Sequence, residues 1–119
     1  MTTNYISEVV SRYFGISKAD ISKKTRNREI LQPRQITHYF AKQKTNDSLT
    51  SIGRQIGEKD HATVLHSIKT VNNLYSTDKT YRKYVDDISR LLMDKKSRIL
   101  VIKKQLLELN TELNELEPQ

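Results

Sequence analysis

Asp60, His61, Ala62 and Thr63 stand in a row and carry a carboxylate, an imidazole, a methyl group and a hydroxyl. In the first turn of a helix, such small polar groups offer free donors, acceptors and a methyl to the edges of bases in a DNA major groove. Val64 and His66 continue the run, and Lys59 precedes it. Upstream, Arg26, Arg28, Arg34 and Lys42 supply cations suited to phosphates or to a minor groove. No other grouping in the chain suggests chemistry. His61 and His66 are five residues apart, so one helical face does not present both to a metal. With no cysteine and no adjacent carboxylate cluster, no metal site is expected. The phosphate-cradling G-x-x-x-x-G-K-[ST] pattern is absent, and no Ser/His/Asp arrangement stands out. The expectation is a binding protein without catalysis and without a cofactor.

These residues need a helix pair to position them. Ser48–Ser67, SLTSIGRQIGEKDHATVLHS, has the pattern of two short helices joined by a tight turn. Asp47 or Ser48 caps the first helix, whose inner face is Leu49, Ile52 and Ile56. Gly53 suits a close approach of two helices, and Gly57 permits the positive φ that ends the first one. Asp60 caps the second helix, whose inner face is Val64, Ile68, Val71 and Tyr75. His61, Ala62, His66, Lys69 and Asn73 are left outside. An isolated pattern of this kind also fits any tight helical corner.

The surrounding chain reads as all-α. Glycine occurs only at 15, 53 and 57 and proline only at 33 and 118, with no alternating β-branched runs. A first helix carries Ile6, Val9, Val10 and Tyr13 up to Gly15, after a Thr or Asn cap at 2–4. Ser17 caps a short second helix with Ile16 and Ile21 turned inward. KKTRNR, Lys23–Arg28, is a basic loop. A third helix runs from about Glu29 to Lys44, with Pro33 in its first turn and Ile30, Ile36, Tyr39 and Phe40 as apolar positions. His38 reads as a surface or half-buried side chain.

The formal net charge is +7, unevenly placed. Residues 18–44 hold eight Lys or Arg against Asp20 and Glu29, whereas residues 105–119 hold four Glu and no base. A basic block on a small domain suits a polyanion, because each neutralised phosphate releases counterions. A lysine-rich surface that merely keeps the protein soluble has the same composition. The chain has no cysteine, no apolar run long enough to span a membrane and no secretory-type N-terminus, which points to the cytoplasm.

From Ile6 to Leu91 the sequence resembles the C-terminal DNA-binding domain (domain IV) of the bacterial replication initiator DnaA. The residues that carry the resemblance are PRQITHYFAKQKT, SLTSIG and above all KDHATVLHS, where that family typically has R-D-H-T-T-V-x-H. The resemblance implies a Trp-repressor-like helix-turn-helix fold and a double-stranded DNA site related to the DnaA box, TTATNCACA. It places Arg26 at the arginine that enters the minor groove, and Arg34 and Lys42 at basic residues that approach the DNA. It assigns Asp60, His61, Thr63 and Val64 to major-groove reading, His66 to the downstream histidine, and Leu49 to a backbone-contacting position. Four residues depart from the pattern. Ala62 replaces a threonine, Lys59 an arginine, Thr50 a frequent proline, and Gln32 a common base. Ala62 loses a hydroxyl but keeps a methyl for thymine, and Lys59 keeps the charge but loses the fork. The initiator's ATPase domain has no counterpart in these residues, so ATP-driven origin melting is not implied.

Beyond Ser76–Asp78 the apolar spacing becomes 4-3. Tyr81, Val85, Ile88, Leu92, Ile99, Ile102, Leu106, Leu109, Leu113 and Leu116 form a seam over about five heptads, broken by Lys95. This pattern suits one long helix, or two joined near Asp94–Ser97. It can pack along its own domain or associate with a partner. A parallel dimer would face Arg98 with Lys103 and Glu112 with Glu117, each repulsive by a few tenths of a kcal/mol. Antiparallel self-association, or a helical protein partner, is therefore expected through Ile99, Ile102, Leu106, Leu109, Leu113 and Leu116. The expected division is a DNA-binding domain over 1–93 and a helical extension over 94–119. The expected role is replication control or transcription regulation. The alternative is an adaptor whose C-terminal helix binds a partner and whose DNA affinity is weak.

Overall fold

The structure, a computed structural model, describes residues 1–93 and 102–111. The described residues form helices joined by turns and short loops, with no strand among them. Thr2, whose hydroxyl accepts from the Tyr5 N–H, opens α1 (Thr3–Phe14). Ser17 and Asp20 form a reciprocal capping box around α2 (Lys18–Ile21). Asn27 opens α3 (Arg28–Lys44), Ser48 opens α4 (Leu49–Gln55) and Asp60 opens α5 (His61–Thr77). A single residue separates α5 from α6 (Lys79–Leu91). That residue, Asp78, bonds its own N–H back to the Leu74 carbonyl and accepts from the Tyr81 N–H, so it ends one helix and caps the next.

Met1–Ile88 forms one compact unit and Ser89–Gln119 another. In the first unit α3 is central, packed on α1 at one side and on α5 at the other, with α4 laid on α5. The core is Ile6, Val10, Ile21, Ile36, Phe40, Ile52, Ile56, Val64 and Val71, all at most 3% exposed. Each such aliphatic side chain contributes roughly 1.5–3 kcal/mol by leaving water. The 3-4 spacing of these residues is what the sequence shows. Their mutual contacts explain why helices as short as α2 and α4 hold, since isolated segments of that length do not.

Four expectations change. His38 is fully buried, not at the surface. Its ring lies between the Ser67 hydroxyl (2.9 Å) and the Ile56 carbonyl (3.2 Å), polar partners that make burial tolerable. Tyr75 is 38% exposed, not turned inward. Its hydroxyl donates to Asp86 and the Arg82 guanidinium stacks over its ring, which clips α5 to α6 from outside. Pro33 lies in the second turn of α3, because the helix starts at Arg28. It therefore removes a ladder bond to the Glu29 carbonyl rather than an orphan donor. The first residues of the heptad seam, Tyr81, Val85 and Ile88, are buried within Met1–Ile88. There Tyr84 stacks edge-on against Tyr13 and Phe14, and the Tyr13 hydroxyl donates to Asp87 at 2.7 Å.

The Tyr81 hydroxyl is the buried side-chain polar atom without a hydrogen-bond partner among the described residues. Burial pushes its pKa up, since no partner compensates the phenolate. Tyr81→Phe removes an unpaired polar group while keeping the ring. The variant should be as stable as the parent or more so by about 1 kcal/mol, measured by urea denaturation. A loss of stability would mean that the hydroxyl has a partner.

Residues 102–111 form a separate helical segment. Ile102, Leu106, Leu107 and Leu109 are exposed there. The proposed junction at Asp94–Ser97, and Ile99, Leu113 and Leu116, lie outside the described residues.

Candidate nucleic-acid interface

The helix pair is α4 and α5, joined by Ile56–Asp60. Gly57 (φ 86) and Glu58 (φ 50) are both left-handed, so the chain reverses within two residues. The turn then folds back on α4: the Lys59 N–H donates to the Gly53 carbonyl at 2.8 Å. Glycine at 53 is required by this approach. A Cβ there would lie 2.0 Å from the Lys59 carbonyl oxygen. The close neighbour is the backbone of the turn, not a second helix as the spacing alone suggests.

This corner aims the start of α5 outward. Asp60 accepts from the Thr63 N–H at 2.8 Å. That bond, with help from the Thr63 hydroxyl and His61, holds the Asp60 carboxyl below its ordinary pKa. The carboxylate therefore stays ionised at the positive end of the helix dipole. His61, Ala62 and Thr63 are exposed, as is His66 one turn further on, 3.5 Å from the Thr70 hydroxyl. Leu65, on the same side as His61 and Ala62, is 41% exposed.

The basic loop reaches this helix. Arg26, Lys59, Thr63 and His66 border one surface hollow, floored by Leu31, Gln35 and Ser67. Arg26 is exposed and Lys59 half-buried. Residues far apart in sequence are thus brought to one face, with a cation beside the exposed start of α5. A neighbouring hollow is edged by Thr50, Arg54, Glu58, Lys59 and Asp60. Arg54 was missed by the sequence reading, although its helical phase opposite Ile52 and Ile56 marks it as outward-facing.

Not every expected residue joins this face. Arg34 is 3% exposed and does not reach outward to a phosphate. Its Nε donates to the Ile21 carbonyl (2.7 Å), one terminal nitrogen donates to the Thr25 carbonyl (3.3 Å) and the other to that of Lys23. A guanidinium engaged on three carbonyls is a structural group here. Val64 is fully buried. It faces the core because α5 must turn one stripe inward, so its side chain is not a base contact. Leu49, the first residue of α4, is half-buried, with its amide outside the helical ladder. Arg28 is exposed but borders a different hollow, with Gln32, Asp78 and Tyr84. Lys42 is exposed in the last turn of α3. Among the described residues no three His, Cys, Asp or Glu gather as a metal site, and no helix is long and apolar enough to cross a membrane.

Residues 3–71, which contain this whole corner, match the family described as the bacterial DnaA protein helix-turn-helix. The chain belongs to that family. Individual DnaA proteins are similar over most of its length. The chromosomal replication initiator protein DnaA of Flavobacterium psychrophilum is 50% identical over 92 residues, 77% of this chain and 19% of that protein. Those of Wolbachia pipientis wMel (44% over 91 residues) and Bacteroides thetaiotaomicron (43% over 95 residues) cover 76% and 80% of it. The chain spans about one fifth of the length of these DnaA relatives. The resemblance carried by PRQITHYFAKQKT and KDHATVLHS therefore holds at the level of the DnaA helix-turn-helix domain.

Proposed function

We propose that this chain binds double-stranded DNA at a site related to the DnaA box and acts without catalysis in replication control or transcription regulation. The observation that carries the reading is the shared face of Arg26 and the α5 start. A cation on a loop stands beside four consecutive exposed residues, Asp60 to Thr63. Asp60, His61, Ala62 and Thr63 read base edges in the major groove, and Arg26 enters the adjacent minor groove. Lys59, Arg54 and Lys42 hold phosphates, which positions the domain without specifying sequence. Ala62 offers a methyl in place of a hydroxyl, so the preferred site departs from TTATNCACA where that residue reads.

His61→Ala and Arg26→Ala should each lower the preference for a TTATNCACA duplex over a scrambled one by about tenfold, the scale of a lost base contact. Fluorescence anisotropy at fixed salt checks this. Equal binding to both duplexes by the parent chain, falling only with salt, would remove the specific reading and leave a sequence-blind cation surface.

The same proposal gives the C-terminal residues a role in association. The exposed Ile102, Leu106 and Leu109 support it, as does a sequence that is basic before residue 105 and acidic after it. Antiparallel pairing sets those charges against each other. Sedimentation at high micromolar concentration should show a dimer that becomes a monomer on deletion of 97–119. A monomer in both cases would exclude self-association.

A further inference from the structure

Arg34 is the one buried arginine among the described residues, and its three hydrogen bonds all end on the segment that leads to Arg26. That segment, residues 21–27, runs from the last residue of α2 to the start of α3. It contains small internal turns, with the Thr25 N–H on the Lys23 carbonyl and the Asn27 N–H on the Thr25 hydroxyl. Lys23, Lys24, Arg26 and Asn27 are exposed, so their side chains do not anchor it in the core. The carbonyls of Ile21, Lys23 and Thr25 instead converge on one guanidinium. A four-residue helix such as α2 leaves carbonyls without ladder partners, and the planar fork of arginine serves several at once. The other side of the same side chain lies against the helix-turn-helix corner. A Cβ added at Gly57 would stand 3.3 Å from Arg34 Nε and 3.6 Å from its Cδ. Arg34 thus fills the space between the turn that aims α5 and the loop that carries Arg26, in the wall of the hollow that both border.

We infer that Arg34 is a positioning residue: its guanidinium sets the Arg26 loop against the helix-turn-helix turn and so couples minor-groove to major-groove reading. The inference rests on the DNA-binding reading above. Arg34 does not touch DNA in this account, because contact with a phosphate requires it to release the three carbonyls.

The test separates the two grooves chemically. Each A·T pair of a TTATNCACA duplex is exchanged in turn for G·C and for I·C. The two exchanged pairs look alike in the major groove, but only G·C adds an amino group to the minor groove. The affinity ratio of the I·C to the G·C duplex therefore reports minor-groove reading alone. The parent chain should show a ratio of about tenfold at the pairs that Arg26 reaches, and Arg26→Ala should bring it to one. Arg34→Gln should abolish the ratio at the same pairs, add nothing in the double variant with Arg26→Ala, and keep the preference that His61→Ala removes. Arg34→Lys keeps the charge but cannot span three carbonyls, and serves if Arg34→Gln fails to fold by thermal unfolding. A folded Arg34→Gln or Arg34→Lys that retains the full ratio and weakens every duplex alike would overturn the inference and make Arg34 a phosphate contact. A parent chain with no preference at any pair would overturn the DNA-binding reading itself, and this inference with it.

Discussion

Acidification from neutrality to below about pH 4 is expected to remove about 3 kcal/mol of folding stability through His38. The ring is fully buried and sits between the Ile56 carbonyl and the Ser67 hydroxyl. A carbonyl only accepts, so Nε2 carries the proton and Nδ1 takes the Ser67 hydroxyl hydrogen in the neutral ring. Desolvation of the imidazolium lowers the pKa from 6.5 to about 4. The cations of Arg34 and Lys59 push the same way, and the Ile56 hydrogen bond opposes them. The folded state therefore binds fewer protons than the unfolded chain between about pH 4 and 6.5. Stability rises with pH across that window and gains nothing further from this residue above it. Asp20, Asp47 and Asp60 are also held below their ordinary value of 3.8, so their loss on acidification begins lower on the scale. Urea denaturation at a series of pH values measures the effect, and His38→Gln should flatten the slope between pH 4 and 6.5. A parent slope already flat there would show that the imidazolium is accommodated in the fold.

Gly53→Ala should destabilise the domain by about 3 kcal/mol, at the upper end of what overpacking costs. The added Cβ meets the Lys59 carbonyl oxygen at 2.0 Å and its carbon at 2.9 Å. Both are backbone atoms, so no side-chain rotation relieves the contact. The turn must move away from α4, which breaks the Lys59 N–H bond to Gly53 and displaces Asp60 and the residues it caps. Loss of box preference should accompany the loss of stability, and should persist at temperatures where the variant is still folded. A denaturation midpoint equal to that of the parent would mean that the corner is softer than its geometry.

Helix positions were legible because they depend on local chemistry. Ser17, Ser48 and Asp60 cap the helices expected from their spacing, and Ile6, Val10, Ile52, Val64 and Val71 occupy the expected core stripes. The exposed face at the start of α5 was legible for the same reason: residues just after an N-cap that do not fall on the apolar stripe must point away from the core. His38 and Arg34 were not legible. Both are polar types that sequence patterns place outside, and only the packing of α3 against α5 and the α2 end supplies the partners that bring them inside. Tyr75 departs in the opposite sense: it stays at the surface, where its hydroxyl donates to Asp86 and its ring carries the Arg82 guanidinium.

The sequence by itself determined an all-α chain, its helix pair, its membership of the DnaA helix-turn-helix family and the identity of the exposed residues from Asp60 to Thr63. The family is carried by the residues of PRQITHYFAKQKT and KDHATVLHS; the rest follows from caps, glycines and apolar periodicity, which act over a few residues. Only the tertiary structure decided that Arg26 shares a face with Thr63 and His66, that His38 is core, and that Arg34 stands behind the surface rather than on it. Those outcomes depend on contacts between separate elements of the chain, where burial of carbonyls that need donors outweighs a cation's preference for water.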